Sequence, residues 1–204
     1  MIEEVLHPTL TKLADVEPLR ACGSCSLCCK LVPVASPQVV KDAGVWCDHC
    51  TKPGCAIYAT RPMPCRVWSC CWLLDANLSE VDALEPRKCH VVIDPVCDEV
   101  IFRSNSTGEE QIETVVQMWC DPAYPGAWRS PAVRAAIDYY GKRMKMATII
   151  RFNNKTGFLV RPPSLSPTGT WEESEQAAPI DRNEMRDKLK ALDGGDHVYG
   201  EAHR

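Results

Sequence analysis

The residues best equipped for chemistry in this chain are its thirteen cysteines. The densest run is Cys22-Gly-Ser-Cys25-Ser-Leu-Cys28-Cys29, with two residues between successive thiols and the last thiol doubled. Such gaps let thiolates curl inward from a tight turn toward one centre, and small Gly23 and Ser24 let the backbone come close. Backbone N–H groups in turns of this kind can hydrogen-bond sulfur, which offsets the negative charge gathered when several thiolates meet one metal. Three thiols in register with a doubled last cysteine point to metal ligation.

More distant ligands come from Trp46-Cys47-Asp48-His49-Cys50, then Gly54-Cys55-Ala56-Ile57-Tyr58, then Arg61-Pro62-Met63-Pro64-Cys65-Arg66. A tetrahedral zinc or one cubane iron-sulfur cluster takes four protein ligands, so the thiols outnumber the needs of one mononuclear site. Two metals, or one cluster with spare thiols, are the options. Arg61, Arg66, Lys30 and Lys52 lie close in sequence to the thiols and favour their anionic form. Cys89, Cys97 and Cys120 read instead as small buried hydrophobes. Cys71, directly after Cys70, is a poor co-ligand for the same centre, and His49 reads as a surface or capping histidine. Trp46, Trp68 and Trp72 are expected to shield the site.

Taken together, Cys22, Cys25, Cys28, Cys29 and Cys47, followed by Gly54-Cys55-x-Ile57-Tyr58-x-x-Arg61-Pro62-x-x-Cys65-Arg66, resemble the YkgJ-like cysteine-cluster family. This CxxCxxCC family is described as a zinc- or iron-chelating domain, and the likeness spans roughly Ala21 to Leu74. It implies chelation by those seven cysteines, with Cys50 and Cys70 as second-rank ligands. The family is also similar to the cysteine-rich part of flagellin lysine N-methylases, which favours an iron-sulfur cluster over zinc and raises an enzymatic alternative. The sequence has no glycine-rich nucleotide fingerprint, and its leading triplet is not the Cys-x-x-x-Cys-x-x-Cys of radical S-adenosylmethionine enzymes. Methyl transfer is therefore not expected, and no catalytic residue is assigned. A cluster-dependent enzyme, either an oxidoreductase or one like a protein lysine methyltransferase, and a zinc module that fixes a protein-binding surface remain the alternatives.

The elements that must hold these thiols divide the chain unevenly. Ten cysteines precede Trp72, in a front broken by Pro33, Pro37, Pro53, Gly54, Pro62 and Pro64, so regular structure there should be short and organised by metal. Behind it, His90–Asp94 and Glu99–Arg103 read as a hairpin across Pro95–Asp98. Thr107 and Glu110 fit a capping box, and Ile112, Val115, Val116 and Trp119 follow at helical spacing, predicting a helix over 108–119. Ser130-Pro131 opens a second helix to about Met144, and 147–152 with 157–161 form a hairpin around Asn153–Thr156. The expected fold is α+β. It comprises a lead over 1–20, a loop-rich metal-organised region with short helices over 21–74, and hairpins with two helices over 75–162. A flexible tail over 163–204 follows, with a possible helix at 183–192.

With 23 Lys and Arg against 27 Asp and Glu, the formal net charge is -4, which offers no broad basic field for nucleic acid. No apolar run reaches the ~20 residues of a membrane span, and an acidic start unlike a secretion signal places the expectation in the cytoplasm. There thiols stay reduced, and dense cysteines mean metal more often than disulfides. A protein partner is left open.

Overall fold

The proline-interrupted front folds only into short pieces, as its backbone chemistry requires. The computed structural model describes residues 16–51, 54–103, 110–155 and 157–173. In it, α1 (Cys28–Leu31) is a single turn that leads into β1 (Val34–Ala35) and β2 (Val40–Lys41), an antiparallel pair. A second pair, β3 (Cys50–Thr51) and β4 (Gly54–Cys55), sets Cys50 opposite Cys55. After a 3-10 turn at Tyr58–Thr60 come α2 (Met63–Val67), with Pro64 in its first turn where no backbone donor is needed, and α3 (Cys71–Leu74). The short α4 (Ala76–Ser79) is capped by the Asp75 carboxylate, which accepts from the Asn77 amide. The next turn, α5 (Pro86–Cys89), ends on His90 in the left-handed conformation.

The back is one six-stranded sheet crossed by one long helix. Its strands are β5 (Val91–Ile93), β6 (Asp98–Arg103) and β7 (Glu110–Cys120), then β8 (Ala147–Arg151), β9 (Gly157–Arg161) and β10 (Glu172–Glu173). Between β7 and β8 runs α6 (Pro131–Met144), whose Ser130 side chain accepts from the Val133 amide. It is the crossover that allows β7 and β8 to pair in parallel. All the other pairs are antiparallel, in the order β10-β9-β8-β7-β5, with β6 also on β7. The fold is thus α+β. No helix among the described residues is long and apolar enough to cross a membrane.

Three sequence expectations change. The segment predicted as a helix over 108–119 is instead the central strand β7. From Val115 to Cys120 every side chain is buried, so both faces of the strand are covered and no polar alternation marks it. The spacing of Ile112, Val115, Val116 and Trp119 imitates a helix, but β-branched residues at 112, 114, 115 and 116 suit a pleated sheet. The runs at 90–94 and 99–103 do not pair with each other. Both pair with β7 along the edge opposite β8, β5 at its end and β6 at its start. Ile93 faces Met118 and Asp98 faces Val115, so Pro95–Cys97 forms a bulge that takes up the mismatch.

The third change concerns the expected tail. Residues 163–173 fold back on the body, β10 pairs with β9, and Glu173 accepts from Arg129 and Arg134. The expected helix at 183–192, Thr107 of the capping box, Lys52 and most of the lead lie outside the described residues. The helix at 131–144 and the hairpin of β8 and β9 fold as predicted.

One core unites front and back. Leu27, Leu31 and Ala43 join Cys70, Cys71 and Trp72 against Val91, Met118, Trp128, Ile137 and Ile150. The cysteine-rich loops therefore rest on the sheet and its helix.

Candidate metal centre

The cysteine site is assembled from four short pieces, each held by backbone geometry. Gly23 adopts φ +60°, a left-handed conformation that a side chain at this position would resist, and the turn closes with the Cys25 amide on the Cys22 carbonyl at 3.3 Å. The Cys22 thiol also points back to the Cys25 carbonyl at 3.3 Å. The α1 turn then carries Cys28 and Cys29. The Cys47 amide donates to the Cys29 carbonyl at 2.9 Å and the Cys50 amide to the Cys47 carbonyl at 2.9 Å, which draws the second group of thiols onto the first. Cys55 arrives across the β3–β4 pair, and the α2 turn brings Cys65.

The sheet fixes these loops in place. Lys30, next to Cys29, forms a 2.6 Å ion pair with Asp121 just past β7. The Ala43 amide donates to Asn154 Oδ1 at 2.9 Å, and the Asn154 amide group donates to Asp42 at 2.6 Å. Gly44 has φ +80°, and a Cβ there would lie 2.7 Å from the Phe152 carbonyl oxygen, so only glycine lets this loop lie against the β8–β9 turn. Arg87 reaches Ser24 at 2.7 Å, and Trp68 donates to Asp94 at 3.1 Å.

Cys29 is the electrostatic hub. Hydrogen bonds from the Cys28 thiol and then from Cys50 lower its pKa to about 6 against the opposing effect of burial, with Lys41 and Arg61 adding to the lowering. Cys28 is correspondingly pushed well up, first by donating to Cys29 and then by burial and the nearby thiols of Cys22 and Cys25. Burial raises Cys22, helped by Cys25 and Cys29 and opposed by Arg61. Burial also raises Cys65 to about 11, with Cys29, Cys47 and Cys55 contributing. Cys50 is raised by burial and by Cys29, while a hydrogen bond from Ser26 opposes the shift. With Cys25, Cys47 and Cys55 among the groups that act on these, eight thiols meet in one neighbourhood.

Cys70, the ninth expected ligand, feels Cys22 and Cys25 but is 7% exposed within the core, where burial pushes it up to about 12. Cys71 faces the Tyr140 hydroxyl, and burial pushes it up to about 12 as well. Cys89 and Cys120 are buried, and Cys97 packs on Met146. All thirteen cysteines are unbridged. Among the described residues, no group of three or more His, Cys, Asp and Glu side chains is closed around a point as a metal ion would require. Instead, the Cys28 and Cys50 thiols hydrogen-bond to Cys29.

Thiols are nonetheless the donor type that zinc and iron-sulfur clusters take. A cation bound among thiols would take the place of their protons, so binding would release protons. His49 lines a cavity of about 260 Å³ together with Lys41, Trp46 and Cys47. Trp46 is half exposed, with the Lys30 ammonium 5.8 Å from its ring, whereas Trp68 and Trp72 turn to Asp94 and to the Val81 carbonyl.

Two participants are not legible in the thiol spacing. Ser26 bonds Cys50 from within the leading motif, and only its hydroxyl hints at this. Lys41 is the other. It sits alone between Val40 and Asp42 on β2, where burial lowers its pKa and the thiols of Cys47, Cys29, Cys28 and Cys65 favour its charge in opposition. Compared with protein-family models, curated proteins and solved structures, the chain matches none at a significant level.

Proposed function

We propose that the cysteine-rich front is a thiolate metal centre, holding an iron-sulfur cluster in preference to zinc, in a cytoplasmic protein. The observation that carries this reading is the backbone geometry that gathers the thiol-bearing turns, with the Cys47 amide on the Cys29 carbonyl, the Cys50 amide on the Cys47 carbonyl and Cys50 paired opposite Cys55. The ligand pool is Cys22, Cys25, Cys28, Cys29, Cys47, Cys55 and Cys65. Cys50 joins through its bond to Cys29, and Cys70 stands last because the core claims it. The resemblance to YkgJ-like proteins supports the same pool, and its link to the cysteine-rich part of flagellin lysine N-methylases supports iron and sulfide. The cytoplasmic assignment is supported by this density of thiols, which a reducing compartment preserves.

When bound, a cluster supplies one-electron redox chemistry. The chain's own residues gather the sulfurs, counter their charge and shield one side with the Leu27–Leu31 core. A second reading, zinc fixing a surface for a protein partner, is favoured by exposed Val40, Val45 and Trp46 around the cavity beside Cys47.

Anaerobic purification followed by measurement of iron, acid-labile sulfide and zinc per chain, with the visible spectrum, separates these readings. Iron with matching sulfide and colour is expected. Stoichiometric zinc without colour selects the second reading, and a chain that takes up neither metal after reconstitution overturns both.

A further inference from the structure

Lys41 is more than nine-tenths buried, and among the described residues it pairs with no carboxylate. Its Nζ donates to two backbone carbonyls, those of Lys30 at 2.9 Å and Asp42 at 3.0 Å. An ammonium has three donors, so one remains. A buried charge without an anionic partner is costly, and the usual outcome is pairing or neutralisation. The Lys30 carbonyl belongs to the residue that follows Cys28 and Cys29, and Lys41 shares the wall of a cavity with Cys47. Asp42 and Asp48 line the same cavity, but among the described residues neither carboxylate pairs with Lys41, which leaves the third donor for the sulfurs of the site.

Of the other basic residues near the site, Lys30 is neutralised by the Asp121 carboxylate, and Arg61 acts on the thiols from a more solvent-exposed position. Arg61 donates to the Tyr58 carbonyl and lies over the Tyr58 ring at the surface. Arg66 is exposed.

We propose that Lys41 is the resident counter-cation of the thiolate centre, a positioning residue whose fixed charge offsets part of the negative charge of the metal-bound sulfurs. This rests on the metal-centre reading above. Several thiolates around one ion or cluster leave a net negative charge, and in a half-buried site water screens it poorly. A lysine held by two carbonyls supplies a positive charge without reorganising, as partners beyond the ligands commonly do for metal affinity.

The test compares three variants of the full chain for metal content and for metal retention against a chelator. Lys41→Arg keeps the charge, Lys41→Gln keeps a hydrogen-bond donor without charge, and Lys41→Met keeps neither. Retention within about 2-fold of wild type is expected for the arginine variant, against a loss of about 10-fold or more for both neutral variants. Far-ultraviolet circular dichroism and thermal unfolding of each chain report folding separately from retention. Glutamine that holds metal as firmly as lysine would show that the side chain serves only the carbonyls, and would overturn the proposal while leaving the metal centre standing. A folded arginine variant that loses metal along with the neutral ones would overturn it too. A wild-type chain that takes up neither iron nor zinc would overturn the metal centre itself, and the role of Lys41 with it.

Discussion

The front and back of this molecule are held together by different physics. In the back, Val115, Met118, Val133, Ile137, Ile150 and Val160 are wholly enclosed, and a buried parallel pair of strands lies beneath a fourteen-residue helix. Among the described residues between Ala21 and Val67, by contrast, the buried apolar side chains apart from Pro62 are Leu27, Leu31, Val39 and Ala43. Hydrophobic burial scales with the area removed from water, so the back can order itself while the front depends on links to the sheet and on its sulfurs. A scaffold that folds by packing can carry loops that are tied to it by hydrogen bonds and an ion pair.

The strongest way to break this contrast is to damage the scaffold. Trp128 is wholly buried and meets Phe158 edge-on with ring centroids 5.0 Å apart. Trp128→Ala should cost roughly 3–5 kcal/mol in urea unfolding, the range for removing a buried aromatic. Metal retention should fall in parallel, because the front loses its platform. A variant that unfolds earlier yet retains metal as firmly as wild type would mean that the front stands alone.

Next in size is the link itself. The Lys30–Asp121 pair has side chains only 16% and 5% exposed, so Asp121→Ala leaves a largely buried ammonium with no partner. Destabilisation on the order of 3 kcal/mol is expected. Combining it with Lys30→Met should restore much of this, because the stranded charge is gone. Limited proteolysis of the single variant should cut within 21–67 before 110–161; simultaneous cutting would contradict the division.

A smaller and more local effect is expected from the sulfurs. Cys25→Ser, or removal of metal by a chelator, should increase protease cleavage between Ala21 and Val67 and leave amide exchange along β7 and β8 nearly unchanged. Unchanged metal content together with unchanged protease resistance in Cys25→Ser would remove Cys25 from the ligand pool.

The same contrast explains what could be read from the sequence. Helix α6 announced itself through Ser130-Pro131 and an apolar face, and the β8–β9 hairpin through its turn residues, because both signals are local. Strand β7 did not, since a segment covered on both faces loses the alternation that distinguishes a strand, and the partners that cover it are remote in sequence. For the site, cysteine spacing marked the turns that carry the thiols, because those signals are local too. Lys41 and Asp121 were invisible because their importance comes from the loops they meet in space. The return of β10 to the sheet was hidden for a related reason: Trp171 and Glu173 find Arg129 and Arg134 only once α6 is in place.

The smallest predicted effect lies at the seam between the two regions. Asp94 accepts from the indole of Trp68 on the front side, from Trp119 of β7 at 2.9 Å, and from the Val96 amide. Burial raises its pKa despite those bonds. A carboxyl whose folded pKa exceeds its unfolded value binds more protons when folded, so stability falls as pH rises from the unfolded value of about 3.9 to the folded value and is level above it. Asp94→Asn has no such titration but loses one acceptor, at about 1 kcal/mol. The stability of wild type relative to this variant should therefore be greatest in acid, decline as pH rises through that interval, and then stay constant. Urea midpoints across a pH series measure it directly, and a difference independent of pH would mean that Asp94 keeps its ordinary acidity between the two indoles.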